Sequence, residues 1–375
     1  MSDPSVRPVV PNGRRTLIVS ASMGGGHDQV AAETARRLRE RGHQVQLLDL
    51  LRLLPAGIGG AIRSGYAATL RYGPGRYQRV YDRFADPDAA RQLVEPLVRL
   101  LVPAARDAVR AADPDTVVTT FHLAAAVVGR LRMDGVLRTP ALVVLTEFAP
   151  HALWLSPGND AYLCLSPEGR DLAAGQVGAR AYWLGPLTPQ SPGNFPNKPA
   201  DGGDETYSAD GRHLVVLSTG AWGVATNLVA TVRALVESGR YFPLVLCGRN
   251  ERLLARLDRV AGPGHALGWR DDVDELLAGA YALVENSGGQ TCTEAFGAGT
   301  PVVIHQPLPG HGLAAAAHLT RIGAVTRTDD PRDLPAALDS LGPGTPARSR
   351  QVECARALFR PDSTDLLECL TQVTT

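Results

Sequence analysis

The chain has 375 residues, 38 basic and 38 acidic side chains, a net charge of zero and 44% hydrophobic residues. At roughly 150 residues per domain this predicts two domains, each able to bury a core without disulfide or metal staples. The balanced charge excludes a disordered acidic or basic tail protein and argues against general nucleic-acid binding, while leaving room for a local basic patch.

The five cysteines, Cys164, Cys247, Cys292, Cys354 and Cys369, are odd in number and widely spaced, with no CxxC pair. That pattern suits neither a disulfide framework nor a zinc site. Cys164 and Cys247 lie in apolar runs and read as small core residues. Residues 1–15 lack the apolar core of a signal peptide. The charge-free stretch 214–232 is interrupted by Ser218, Thr219, Gly220, Gly223 and Asn227, so it reads as strand, loop and helix rather than a membrane span. A cytoplasmic location is therefore expected.

Along the chain, the apolar run 16–20 predicts a strand, followed by the glycine loop Gly24-Gly25-Gly26 and His27. A helix follows, with Val30, Ala31, Thr34, Ala35 and Leu38 on one face and Gly42 ending it. Further strands are expected at 44–50, 116–121, 141–148, 161–166 and 181–184. Residues 186–212 are rich in Pro, Gly, Asn, Asp and Ser and read as a linker. The alternation then resumes, with strands expected at 214–217, 243–246, 266–267, 282–284, 301–304 and 324–327, and helices at 227–238 and 250–260. Short apolar strands alternating with helices predict parallel sheets, so the fold class is α/β: two doubly wound Rossmann-like domains facing across a cleft. The domains are expected at 1–186 and 213–345, joined by 187–212. Helices in 346–375 are expected to pack back on the first domain.

Glycines at the end of a strand let a ligand approach the backbone closely, and a following helix N-terminus supplies unpaired N–H groups and partial positive charge. The first loop is not GxGxxG and no lysine follows it, which weakens dehydrogenase and nucleotidase readings. His27 stands at the helix start, where the positive end favours a neutral, base-competent imidazole; the plainer reading is a helix cap. In the second half, Gly220 and Gly223 follow the first strand. Ser287, Gly288 and Gly289 open a helix carrying Gln290, Thr291 and Glu294. Glu294 suits a pair of ribose hydroxyls while the loop amides suit a diphosphate; alternatively it only complements the helix dipole. Gly310 and His311 open a further helix. Three glycine loops at three strand ends converge on one site.

Several blocks in order resemble the nucleotide-sugar glycosyltransferases of the GT-B fold. They are SASMGGGH at 20–27, GYAATLRYGPGRYQRVYDRF at 65–84, LTEFAPHALW at 145–154, STGAWG at 218–223, CGRNERL at 247–253, GWRDDVDELL at 268–277 and SGGQTCTEAFGAGTPVVIHQPLPG at 287–310. The chain looks most like the branch of the diacylglycerol glycosyltransferases, which includes monogalactosyl- and processive diglucosyl-diacylglycerol synthases, and of the lipid II N-acetylglucosaminyltransferase.

The resemblance implies acceptor binding in the first half and binding of a nucleotide sugar, UDP by expectation, in the second. It assigns His27 and Glu147 as candidates for taking the acceptor proton, and Gly25, Gly26, Tyr66, His122, His151 and Trp154 to the acceptor. To the donor it assigns Gly220, Trp222, Gly223, Arg249, Asn250, Trp269, Ser287, Gly288, Gly289, Gln290, Thr291, Glu294, Gly310 and His311. Two departures stand out. Glu147 replaces the family's usual Asp, and His311-Gly312 replaces a Gln-Glu pair that contacts the donor.

No DxD-like pair is placed for a metal; Asp271-Asp272 reads as a helix cap. No cofactor is expected beyond the nucleotide sugar as co-substrate. Residues 61–84 interleave Arg63, Arg71, Arg76, Arg79 and Arg83 with Tyr66, Tyr72, Tyr77, Tyr81 and Phe84. This enrichment suits an anionic membrane surface on the cytoplasmic side, or a solvated helical face. An aromatic cleft would also take a soluble hydrophobic acceptor. The expected activity is inverting, metal-independent hexosyl transfer to a lipid or hydrophobic hydroxyl. A nucleotide-sugar 2-epimerase and a non-catalytic nucleotide-sugar-binding subunit are the alternatives.

Overall fold

A computed structural model describes residues 13–189, 211–262 and 264–372; the N-terminal segment 1–12 and most of the expected linker lie outside them. The first half runs β1 (Arg15–Ser20), α1 (Gly26–Glu40), β2 (Gln44–Asp49), α2 (Ile58–Tyr72), α3 (Pro74–Asp82), α4 (Pro87–Ala112), β3 (Thr116–Thr119), α5 (His122–Met133), β4 (Ala141–Val144), β5 (Ala161–Cys164), α6 (Pro167–Val177) and β6 (Ala181–Trp183). The second runs β7 (His213–Ser218), α7 (Leu228–Glu237), β8 (Tyr241–Leu246), α8 (Glu251–Ala261), β9 (Ala266–Leu267), α9 (Val273–Gly279), β10 (Ala282–Glu285), α10 (Gln290–Ala298), β11 (Val302–His305), α11 (His311–Arg321), β12 (Thr326–Thr328), α12 (Leu334–Ser340), α13 (Pro346–Arg356) and α14 (Ser363–Gln372).

Every strand expected from the apolar runs is present. Those expected at 116–121 and 141–148 end early, at Thr119 and Val144. Beyond those ends, Phe121, Thr146 and Glu147 line the cleft. Each half forms one six-stranded sheet, in the orders β2-β1-β3-β4-β5-β6 and β12-β11-β10-β7-β8-β9, with every pairing parallel.

The continuous apolar strands are explained by helices on both faces. Successive strand residues point to opposite sides, so Leu17 and Val19 join the core under α4 and α5, while Ile18 joins α1 residues Val30, Ala35 and Leu38. In the second sheet Val215 and Leu217 pack with α7 residues Leu228 and Val232, and Val216 packs with α10 residues Ala295 and Phe296. Burying each such aliphatic side chain is worth about 1.5–3 kcal/mol. Gly42, at φ +86°, occupies the left-handed position just past α1, where a side chain would be strained. Cys164, Cys247 and Cys292 are buried free thiols.

The two halves meet directly. Phe148 and Leu165 of the first half belong to the same buried cluster as Phe296, Ile304 and Leu319 of the second. The chain end then crosses back. Helix α13 serves the second half, where the Gln351 side chain bonds both N and O of Val302. Helix α14 serves the first, where Leu367 enters the α1 core, Arg37 donates to Ser363 Oγ at 2.9 Å and Arg41 pairs with Glu368 at 2.6 Å. No helix among the described residues is long and apolar enough to cross a membrane.

Candidate active site

In the first sheet β2 and β3 flank β1, so the winding reverses between β1 and β3; in the second it reverses between β7 and β10. Crevices open at such switch points, beyond the carboxyl ends of the strands. Here the two crevices merge into one cleft of about 540 Å³. It is lined by the loops after β1, β3 and β4 on one side and by those after β7, β9 and β10 on the other.

His27 is held where those loops meet. Its Nδ1 lies 3.1 Å from the Thr120 carbonyl oxygen and 2.9 Å from Thr146 Oγ1. A backbone carbonyl only accepts, so Nδ1 carries the hydrogen and Nε2 the lone pair. Thr120 Oγ1 in turn donates to the His27 carbonyl at 3.2 Å, tying the ends of β1 and β3 together. Burial, more than any other influence, lowers the His27 pKa to about 4, so the ring is neutral at ordinary pH. The sequence had pointed to the helix end as the cause; desolvation is the larger effect.

Around His27 stands a wall of rings. Phe121 is 4.9 Å away edge-on, and His122 and His151 lie 5.3 Å apart. Burial, with repulsion from neighbouring imidazoles, holds His122 well below the usual histidine range and His151 at about 3. Burial pushes Glu147 up to about 7, partly offset by the nearby indole N–H of Trp154. Glu147 Oε2 is 3.8 Å from His151 Nε2 and, like the His122 and His151 Nδ1 atoms, has no hydrogen-bond partner among the described residues. All three residues line the cleft, while these particular atoms are themselves closed off from solvent.

The arginine–tyrosine segment becomes α2 and α3, and its two residue types separate. Tyr66, Tyr77, Tyr81 and Phe84 line the cleft, whereas all five arginines are exposed. Tyr72 is 74% exposed and stays outside.

On the opposite wall, Gly220, Trp222, Trp269, Gln290, Thr291, Glu294 and His311 all reach the cleft. Trp222 Nε1 donates to the Met23 carbonyl at 2.8 Å, and Trp269 covers Gly25, where an added Cβ would lie 3.2 Å from the indole. Glu294 is 7% exposed; burial raises it to about 7, and Gln290 Nε2 reaches its Oε1 at 3.4 Å.

Several expectations need correction. The amides of Ser287 and Gly288 are already taken: Glu285 accepts from both at 2.7 Å, and from Ser287 Oγ at 2.9 Å. Gly289 N donates to Ser287 Oγ at 3.3 Å. What remains for an anion is the first turn of α10, whose N–H groups have no partner within the helix. Gly223 and Asn250 do not line the cleft. Asn250 caps α8 through Leu253 N, its Nδ2 donates to Gly223 O, and a Cβ on Gly223 would strike Asn250 at 2.5 Å. Arg249 also stands behind the cleft, 3.9 Å over the Trp269 ring, and Trp154 is wholly buried behind His27. Gly310 packs under Tyr77 and Tyr81 rather than facing the cleft. Asp272 makes no cap bond; its carboxylate pairs with Arg270, and Asp271 accepts from Trp269 Nε1.

Thr120, Thr146 and Glu285 carry no individual role in the sequence pattern, and Tyr77 stands there only as one ring of the arginine–tyrosine segment. For Glu285 a signal was present: a carboxylate ending an apolar strand just before Ser-Gly-Gly is placed to hold the turn's amides. For Thr120 none was, since its contribution is a backbone carbonyl.

Comparison with known proteins agrees with this architecture. Residues 27–185 match the family model described as monogalactosyldiacylglycerol (MGDG) synthase. The chain is 23% identical over 362 residues to a processive diacylglycerol beta-glucosyltransferase of Bacillus mycoides, covering 93% of this chain and 90% of that one. Among solved structures, it is similar to the glycosyltransferase of kitacinnamycin, with a TM-score of 0.63 and 17% identity over 96% of this chain and 100% of that one. Acinetobacter baumannii MurG gives a TM-score of 0.59 and 16% identity over the same shares.

Proposed function

We propose that this chain, a glycosyltransferase of the GT-B architecture, moves a hexose from a nucleotide sugar, with UDP as the carrier, to a hydroxyl of a diacylglycerol-type acceptor. Transfer inverts the anomeric carbon and uses no metal ion. The observation that carries this reading is the meeting, in one cleft, of a neutral His27 with its Nε2 lone pair free and the α10 N-terminus with Glu294 opposite. Among the described residues no group of three His, Cys, Asp or Glu side chains is gathered as a metal site.

His27 Nε2 takes the proton of the acceptor hydroxyl as its oxygen attacks the anomeric carbon. The bond from that carbon to the diphosphate breaks, and the leaving oxygen keeps the electron pair. The first-turn amides and dipole of α10 stabilise the charge that develops there. Glu147 and His151 orient the acceptor, and Glu294 holds the ribose.

The lipid acceptor follows the activities for which the matched family and the Bacillus relative are described. The five exposed arginines of 61–84, beside exposed Ile58, Tyr72 and Val80, support peripheral contact with an anionic membrane on its cytoplasmic face. The aromatic wall of Tyr66, Tyr81 and Phe84 also suits a planar soluble acceptor, which is the second reading.

The test is a panel of UDP-, dTDP- and GDP-sugars incubated with and without vesicles of diacylglycerol in anionic phospholipid. Diphosphate release and glycolipid are followed by mass spectrometry. Vesicle-dependent glycolipid supports the reading. Isomerisation of the nucleotide sugar with no acceptor would establish an epimerase instead. Loss of turnover in EDTA, restored by magnesium or manganese, would refute the metal-free clause.

A further inference from the structure

Helix α3 of the first half is clasped to the loop that opens α11 in the second. Tyr77 Oη lies 2.9 Å from His311 Nδ1. One residue on, Gln78 Oε1 accepts from Gly310 N at 2.6 Å. Gly310 holds φ at +72°, and an added Cβ would stand 2.7 Å from the Tyr77 ring and 2.9 Å from that of Tyr81. The glycine is thus required twice, by its conformation and by the tyrosines seated on it. Tyr77 is further braced by Tyr66, 5.9 Å away edge-on.

The bond to Tyr77 is the one side-chain hydrogen bond of the His311 ring among the described residues, and the ring lines the cleft on the donor wall. Tyr77 sits in a buried setting that opposes loss of its proton, so the phenol remains an O–H donor. A phenol can donate or accept; when Tyr77 gives its O–H to Nδ1, the hydrogen of a neutral imidazole stays on Nε2. That N–H then belongs to a ring that lines the same cleft as Gln290 and Thr291 at the start of α10.

We propose that Tyr77 is a positioning residue for the donor: from the acceptor half, its hydroxyl fixes His311 in the Nε2–H tautomer, so that His311 donates to the diphosphate or sugar of the bound nucleotide sugar. This rests on the functional reading above. It gives the His311-Gly312 departure from the resembled family a physical role, because a residue of the acceptor segment orients the replacement. It also makes donor affinity depend on how α3 sits.

The experiment uses the full chain with UDP and UDP-glucose as probes and Tyr77→Phe, His311→Ala and their double variant. Phe keeps the ring on Gly310 and removes only the hydroxyl. Calorimetric titration without acceptor is expected to show Tyr77→Phe weakening UDP-glucose by about three- to tenfold, the scale of one net hydrogen bond. The double variant should be no weaker than His311→Ala alone, since both remove one coupled contact. In parallel, ¹⁵N NMR of the His311 ring should show a protonated Nε2 in the wild type and a mixture of tautomers in Tyr77→Phe. Unchanged donor affinity with a raised acceptor KM would overturn the proposal, and so would an unchanged tautomer. Failure of the wild type to bind any nucleotide sugar would overturn the functional reading as well, which the NMR arm distinguishes because it needs no ligand.

Discussion

The Nδ1 atom of His27 stands 3.1 Å from the carbonyl oxygen of Thr120. One residue follows the glycine loop after β1, the other comes directly after β3, and their contact crosses the switch point of the first sheet. It leaves Nε2 as the basic nitrogen at that crevice.

Replacing His27 by Ala is therefore expected to lower kcat by roughly a hundredfold or more, the usual contribution of a general base, with a small change in the affinity for UDP. Steady-state kinetics with a titration of UDP checks both. Turnover close to wild type would remove His27 from the chemistry.

The pH profile separates the two candidate bases. Base action needs neutral His27, whose pKa is lowered to about 4, so kcat/KM should hold down to about pH 5 and fall only below it. A limb near pH 7 that disappears in Glu147→Gln would give the proton to Glu147 instead, whose carboxyl is raised to about 7.

The same carboxyl makes a stability prediction. Its folded pKa exceeds the ordinary 4.5, so the folded state binds this proton more tightly than the unfolded one. The resulting stabilisation is full below about pH 4.5 and lost as pH rises through about 7. Glu147→Gln should raise Tm by a few degrees at pH 8 and by much less at pH 5. An equal shift at both values would contradict the buried-carboxyl account.

Glu294→Ala should weaken UDP by about tenfold to a hundredfold, as expected for lost charge-assisted hydrogen bonds. The 2′,3′-dideoxy analogue should bind wild type and variant alike. A parallel loss for the analogue would place Glu294 away from the ribose.

Glu285→Ala strips the acceptor from two loop amides and the Ser287 hydroxyl. The expected cost is about 2–4 kcal/mol of stability by urea unfolding, with Glu285→Gln losing less because it keeps one acceptor oxygen. UDP binding should weaken with the loop. A stable Ala variant would mean that the turn does not depend on its carboxylate.

Much of the architecture was legible in the one-dimensional pattern. Parallel strands covered on both faces must be short apolar runs, and glycine loops must follow them where a ligand meets backbone, so the runs at 16–20 and 282–284 and the loops at 24–26 and 287–289 marked sheet and cleft directly. What sequence could not separate was contact from support within a motif. Asn250 and Gly223 share their blocks with cleft residues, yet one caps a helix while the other yields to it, a distinction made by side-chain direction rather than spacing. Glu285 is the converse case: its place before Ser-Gly-Gly is a signal, yet it reads as the end of a strand until its carboxylate is seen to turn back on its own loop.

The sequence alone thus determined two doubly wound halves, their strand order of appearance and the loops that line the cleft, because period and turn chemistry are local properties. Only the tertiary structure decided which tautomer His27 takes, how far burial moves Glu147 and Glu294, and that Tyr77 reaches across to His311. Those depend on desolvation and on contacts between residues as distant in sequence as 27 and 120 or 77 and 311, which exist only once the two sheets face each other.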